Sequence, residues 1–406
     1  MKPLQHLLDY VAYDTQSDHH SKSYPSTAKQ LVLLDKLAGD LRALGIDATR
    51  DEFGYVVGIL PSNSKRKLPR IALVAHVDTS PDASGANIKP RLVKQYDGNT
   101  VLLNEEKGIR LDPTVFPSLK RHVGKTLLVT DGTTLLGADD KAGVAIVMSL
   151  IEYFVEHPEI ERPQISVVFT PDEEVGHGTD HLDLAKVHAD YGYTLDGSSA
   201  GEIAFENFNA ASAVVKLNGK SVHPGSAKQK MVNSVRLAFE FDQLLPAFDR
   251  PEHTQGYEGF NHATRIEGIV EATKLEYIIR NHDKKLFAKQ KRDFEIAAAY
   301  LNQKYGDKTC ELTITDSYFN MREILEQNFS IVEDALAAIR ESGLEPIVEP
   351  IRGGTDGARL TYMGLPCPNL GTGGYNFHGP YEYVCVEELD LSLEILKRVI
   401  AKAVQK

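Results

Sequence analysis

Short, continuously apolar runs that end abruptly in charged residues set the strongest limit on how this chain can fold. Arg70–Ala75 is one, a compact run that predicts a central strand ending at His76. Ile165–Phe169 is another, running into Thr170-Pro171-Asp172-Glu173-Glu174. Apolar spacing predicts helices over Ala28–Leu44, stopped by Gly45, and over Lys141–Val155, with Asp139 and Asp140 just before its start. Strands and helices go on alternating through Tyr193-Thr194-Leu195, the pattern of an α/β layered domain. At 406 residues the chain exceeds one typical core, so two domains are expected.

The texture changes at Asn209. Ala211, Ala213, Val215 and Leu217 alternate with Ser212, Val214, Lys216 and Asn218 as in a strand, and a loop follows from Gly219 to Gly225. Next come a predicted helix over Lys228–Leu245, a strand at Lys274–Arg280, a helix at Lys285–Leu301 and a strand at Thr309–Thr315. This β-α-β-β-α-β-like order suits a small inserted domain. After Tyr318 long helices resume, Ile324–Ile339 and Val386–Val404, around short strands. The expected division is therefore one domain from residues 1–207 and 319–406, split by an insert at 208–318.

Composition narrows the partners. With 57 acidic and 45 basic residues the formal net charge is −12, which disfavours a nucleic-acid partner. No apolar stretch approaches membrane-spanning length, so no membrane partner is expected. The first ten residues have no sustained apolar core and do not read as a signal peptide. Cys310, Cys367 and Cys385 are odd in number and widely spaced, which suits buried thiols in a reducing compartment. The cytoplasm is the expected location.

Glu173-Glu174 is the sharpest chemical signal. Two adjacent carboxylates at the mouth of a sheet need a positive charge nearby, or one of them must keep a proton. A metal with one Glu as ligand and the other as base satisfies both. Other ligand-type residues stand at strand ends or turns: His76-Val77-Asp78, Gly137-Ala138-Asp139-Asp140, Asp196 after Tyr193-Thr194-Leu195, and His378 in Gly373–Gly379. Residues i and i+2 of an extended chain share a face, so Asp78 can accept the second ring N–H of His76. Taken singly, each has a plainer reading. Asp196-Gly197 is a turn, Asp139-Asp140 caps the following helix, and a lone His is ordinary. Their joint presence at the strand ends of one α/β domain is what points to a site.

HVDTSPD, GADDKAG, FTPDEEVG, ENFNAASA, IRGGTDGARL and GGYNFHG, in this order and spacing and nearly end to end, resemble the co-catalytic dizinc metallopeptidase family, its tripeptide aminopeptidases in particular. That family also contains carboxypeptidases, dipeptidases and N-acyl-amino-acid deacylases. The resemblance implies a mixed-sheet α/β zinc-peptidase catalytic domain with an inserted ferredoxin-like α+β lid or dimerisation domain. It implies that Asp139 bridges two Zn²⁺ ions per subunit, that His76 and Asp196 complete one, and that Glu174 and His378 complete the other. Glu173 becomes the general base, Asp78 the partner of His76, and His223 the insert's oxyanion donor. Three carboxylate ligands against two dications leave the centre positive, and an N/O ligand set also suits Mn²⁺ or Co²⁺. Arg352, among glycines that let the backbone approach a ligand, is a candidate anchor for a peptide carboxylate. Arg280 is a second candidate, and Asn233, Asn207 and Asn320 are weaker polar contacts. The implied partners are small peptides, with a homodimer through the insert. The implied reaction is removal of the N-terminal residue from tripeptides; the family's other activities are the alternative.

Overall fold

Strands Ile71–His76, Ile165–Thr170 and Tyr191–Gly197 lie side by side and parallel, with Ile71 opposite Ile165, His76 opposite Thr170, and Val74 opposite Thr194. Every residue of the first two strands is buried, as continuous apolar runs covered on both faces should be. The structure, a computed structural model, describes residues 2–406. It separates into two units: residues up to Phe205 with Glu323–Glu349 and Thr355–Lys406, and Glu206–Arg322 with Pro350–Gly354.

In the first unit the three strands form the middle of an eight-stranded mixed sheet. Its order is Asp47–Arg50, Val56–Leu60, Ile165–Thr170, Ile71–His76, Tyr191–Gly197, Asn369–Gly371, Glu202–Ala204 and Ile347–Val348. Pairing is antiparallel where Val56–Leu60 meets its neighbours and between Glu202–Ala204 and Asn369–Gly371. Ala72, Val74 and Val168 pack with Leu360 and Leu365 in one core cluster. Helix Ala138–Glu156 packs on the His76 and Asp196 strands, and helices Pro3–Tyr10 and Val386–Gln405 pack on that helix. Close approach here depends on Gly143, where a Cβ would lie 2.0 Å from the Leu195 carbonyl oxygen. Asp139 and Asp140 have non-helical backbone angles, so regular helix begins after them.

A smaller sheet orders Gly374–Tyr375, Tyr383–Cys385, Leu127–Val129 and Arg91–Val93 over a core that includes Tyr96, Leu111, Leu119 and Tyr383. Tyr383 stands opposite Val129, and Tyr375 opposite Tyr383. His378 therefore sits in a hairpin loop whose return strand pairs with the strand feeding the Asp139 loop.

The second unit runs strand Asn209–Asn218, helix Ser234–Leu244, strands Phe260–Gly268 and Ala272–Asn281, helix Lys284–Tyr305 and strand Cys310–Tyr318. Its antiparallel sheet places Phe260–Gly268 at one edge, then Ala272–Asn281, Asn209–Asn218 and Cys310–Tyr318. Ala211, Ala213, Val215 and Leu217 pack on Leu237, Phe241, Phe287 and Phe294 of the two helices. Four sequence expectations need correction. The first helix starts at Ser234, not Lys228, because Val232 bridges back to Lys220 and Asn233 caps the helix. Phe260–Gly268 is a strand that the sequence does not predict, because it carries no apolar alternation. The helix expected over Ile324–Ile339 is broken by a 3-10 turn at Glu326–Asn328 before Ser330–Glu341. Pro350–Gly354 groups with the second unit, since Ile351 bridges Asn207 and its carbonyl faces His282 Nε2 at 3.2 Å.

Candidate metal centre

The parallel strands deliver His76, the Glu173-Glu174 turn and Asp196 to one end of the sheet. His76 is buried at the end of its strand. Its Nε2 faces Asp139 Oδ1 at 3.0 Å and Asp196 Oδ1 at 3.5 Å, while Nδ1 faces Asp78 Oδ1 at 3.3 Å and the Asp78 carbonyl oxygen at 3.1 Å. Asp78 does more than hold the ring. Its Oδ1 accepts the Glu173 N–H at 3.0 Å and its Oδ2 the Glu174 N–H at 3.2 Å. One buried carboxylate thus fixes both a ligand-type histidine and the turn that carries the paired acids.

Asp139 spans two imidazoles, with Oδ1 on His76 and Oδ2 on His378 Nε2 at 3.2 Å. His378 Nε2 also lies 2.9 Å from Glu174 Oε2. His76 with Asp139 and Glu174 form one group whose ligand atoms lie within 4.8 Å of one another, and His76 with Asp140 and Asp196 form a second. Asp140 is the weaker donor of the two aspartates. Its Oδ2 accepts the His76 N–H and its Oδ1 the Gly143 N–H, the latter a cap on the helix.

Electrostatics mark the cluster as short of positive charge. Burial, and then the neighbouring Asp139 charge, push Glu174 up to about 8. Burial likewise lifts Asp196 to about 6 and carries Glu173 well above the ordinary range, with Asp196, Asp356 and Glu174 adding to the rise. His76 is raised well above its usual value although burial opposes its charge, because Asp196, Asp139 and Asp78 surround it. Glu174 Oε1 is buried with no hydrogen-bond partner. An orphaned carboxylate oxygen among crowded acids and imidazoles is the environment that a cation relieves, so the residues fit a metal site.

The remaining candidates lie in the second unit. His223 is exposed, and its Nδ1 accepts the Gly225 N–H at 3.2 Å. Arg352 donates from one terminal nitrogen to the carbonyls of Gly256 at 2.6 Å and Glu258 at 2.9 Å, and from the other to Thr254 Oγ1 at 3.1 Å, over Phe208 and Phe260. Arg280 donates to the Ala211 and Ile279 carbonyls and lies over Tyr318. Asn233 Oδ1 accepts the Val235 and Arg236 N–H groups as a helix cap. Asn207 donates to the Phe208 and Phe319 carbonyls, and its Oδ1 accepts the Met321 N–H. Asn320 donates to the His282 carbonyl and accepts the Asn207 and Arg322 N–H groups.

Three further acids of the first unit support the cluster, none of them marked by the sequence pattern alone. Asp172, with φ 59°, takes the Ser26 N–H at 2.6 Å and the Gln30 amide at 2.7 Å, anchoring the turn from behind. Asp356 accepts the Thr170 hydroxyl at 2.7 Å, and burial pushes it up to about 7. Glu382 grips the Asp139 loop. Asp172 and Asp356 at least lie inside quoted motifs; Glu382 gives no local signal.

A third group, His122, Cys385 and Glu388, also meets the distance condition for a cation. Its chemistry argues otherwise. Glu388 Oε1 already takes His122 at 3.0 Å and the Lys125 ammonium at 3.1 Å, Oε2 takes the Tyr375 hydroxyl, and burial pushes the Cys385 thiol up to about 12. It is a satisfied buried ion pair.

The chain is similar to known proteins over nearly its whole length. The sequence model of peptidase family M20/M25/M40 matches residues 131–402. A peptidase T of Alkaliphilus oremlandii (strain OhILAs) is 52% identical over 400 residues, covering 98% of each chain. Among solved structures, a tripeptidase from Staphylococcus aureus subsp. aureus Mu50 superposes with TM-score 0.79 at 23% identity, over 100% of this chain and 98% of that one. The aminopeptidase PepT from Bacillus cereus ATCC 10987 gives TM-score 0.78 at 22% identity, over 99% and 98%. These two likenesses establish the fold; the family match and the full-length relative establish kinship. This chain belongs to peptidase family M20/M25/M40 and is a hydrolase of peptide bonds.

Proposed function

We propose that this chain is a zinc-dependent tripeptide aminopeptidase that removes the N-terminal residue from small peptides. The observation that carries the reading is the Asp139 carboxylate, shared between His76 and His378, with Glu174 and Asp196 beside them. The substrate class is supported by the names peptidase T and tripeptidase carried by its relatives.

In this reading His76, Asp139 and Asp196 would hold one ion, and Asp139, Glu174 and His378 the other. When bound, two such cations supply a water of lowered pKa and a polarised scissile carbonyl. The chain's residues do the rest. Asp78 accepts the His76 Nδ1–H and so fixes the ring with Nε2 facing Asp139 and Asp196, where its lone pair would be offered to an ion held between them. Glu173 takes a proton from the attacking water onto its carboxylate and returns it to the leaving amine nitrogen. Because Asp78 grips the Glu173 and Glu174 N–H groups, the turn keeps its place while Glu173 changes charge. His223 carries its ring proton on Nε2, since Nδ1 accepts from Gly225, and that N–H is assigned to the developing oxyanion.

Arg352 is assigned to the peptide carboxylate, which as an anion competes well with the neutral carbonyls that now occupy its guanidinium. Arg280 and the amide nitrogen of Asn233 are assigned lesser contacts. Zinc suits the N/O donor set, and Mn²⁺ or Co²⁺ would substitute. A cytoplasmic location is supported by three buried free thiols. A homodimer through the second unit is supported by its open edge strand Phe260–Gly268, exposed from His262 onward. A solution mass of one 44.9 kDa chain by light scattering would rule the dimer out.

The purified protein with zinc should release the N-terminal residue from tripeptides and leave N-acyl amino acids intact. Cleavage of N-acyl amino acids or dipeptides with tripeptides untouched would overturn the assignment in favour of the family's other activities.

A further inference from the structure

The two loops that bring Asp139 and His378 together are joined by one side chain to which no role has been given. Glu382 is 1% exposed and directly precedes the strand Tyr383–Cys385 that closes the His378 hairpin. Its Oε2 accepts the N–H groups of Leu136 at 2.5 Å and Gly137 at 2.8 Å, and its Oε1 accepts the N–H of Asp139 itself at 3.1 Å. Successive N–H groups converging from a loop whose Gly137 has φ 74° make a concave site for an acceptor, and here the acceptor is a carboxyl of the chain itself. Both carboxylate oxygens are needed, because the donors approach from two directions.

The connection is specific to the metal centre. Glu382 lies four residues after His378 in sequence, and the loop it grips presents Asp139. Pairing of Tyr383 with Val129 brings the two segments to the same sheet, but that pairing ends before either ligand. Beyond it, the hydrogen bonds of Glu382 tie the backbone that carries one ligand to the backbone that carries the other. The outcome is the 3.2 Å approach of His378 Nε2 to Asp139 Oδ2.

We propose that Glu382 is a positioning residue that sets the separation of Asp139 and His378, and through it the metal affinity of the centre. The inference rests on the metal-site reading given above. Glu382 touches neither ion nor substrate in this role; it acts through the main chain of Asp139. An amide at this position keeps the size but only one acceptor oxygen, so one group of donors must face an NH₂ that also donates.

The test is the zinc affinity of the full-length protein, measured by competition with a chromophoric chelator, for wild type, E382Q and E388Q. Glu388 is the control: it is another buried carboxylate of the same segment, bonded to His122, Lys125 and Tyr375. E382Q should weaken binding at one or both metal sites by about tenfold or more, the range seen when a group that orients a ligand is lost. E388Q should lower the melting temperature while leaving zinc affinity within about twofold of wild type. Zinc affinity of E382Q equal to wild type, whatever its melting temperature, overturns the proposal. An equal loss of affinity in E388Q does so too, since it would trace the effect to general destabilisation. Should E382Q fail to fold, E382D keeps both oxygens one methylene too short and must show the same loss of affinity. Wild-type protein that binds no zinc overturns the metal-site reading itself, an outcome distinct from wild-type binding that E382Q leaves unchanged.

Discussion

In the proposed reaction Glu173 and Glu174, neighbours in sequence, take opposite tasks, and the division follows from what each side chain meets. Glu174 Oε2 faces His378 at 2.9 Å and its other oxygen is buried without a partner, the situation of a ligand. Glu173 stands beside it, where burial first and then the like charges of Asp196, Asp356 and Glu174 favour its protonated form. A carboxyl group so placed is poised to accept and give back a proton. Glu173→Ala should therefore lower kcat by about 10²–10⁴-fold, the usual contribution of a general base, while zinc content stays at the wild-type value. Elemental analysis of the dialysed variant alongside steady-state kinetics checks this. A variant that loses its zinc along with its activity would show Glu173 to be a ligand, and an unchanged rate would remove it from the mechanism.

Among the elements, Asn233 shows how a side chain can look like a substrate contact and serve the helix that follows it. Its oxygen accepts the Val235 and Arg236 N–H groups, two of the donors left unpaired at the start of Ser234–Leu244. Asn233→Ala should destabilise the protein by about 1 kcal/mol in urea unfolding, and Asn233→Ser should recover most of that loss because serine caps nearly as well. A KM for tripeptides that rises in both variants would add the substrate contact to the cap; a KM at the wild-type value in Asn233→Ser would leave the cap as its whole role. The same contrast explains what could be read from the sequence. Ile71–His76 and Ile165–Thr170 were legible because strands buried on both faces must be apolar throughout. Phe260–Gly268 was not, because an exposed edge strand needs no alternation and shows none. His76, Asp139 and Glu174 could be picked out by residue type and by the motifs around them. The grip of Glu382 on the Asp139 loop could not, since it depends on Tyr383 pairing with Val129 across a long stretch of sequence. Arg352 was expected with the catalytic domain; its bonds to the Gly256 and Glu258 carbonyls, also remote in sequence, belong to the second unit.

At the scale of the whole molecule, acid stability should depend on buried pairs away from the candidate metal centre as well as on that cluster itself. Glu388 is the clearest case. Burial alone would raise its pKa, but hydrogen bonds from His122 and Tyr375 and the ammonium of Lys125 hold it down at about 2. A carboxyl whose folded value lies below its ordinary 4.5 stabilises the fold fully above that ordinary value, and the contribution disappears as pH falls from there toward 2. The pair also ties the start of helix Val386–Gln405 to the segment Pro117–His122 and to Lys125, so its loss should weaken the first unit rather than one loop. The comparison is between wild type and E388Q, both stripped of metal by a chelator so that the ligand carboxylates titrate alike in each. Below pH 5 the difference in their unfolding free energies should narrow steadily as the wild-type carboxylate takes up its proton. A difference that stays flat down to pH 3 would mean that Glu388 is not held ionised by its partners, and acid unfolding would then have to begin at the metal ligands.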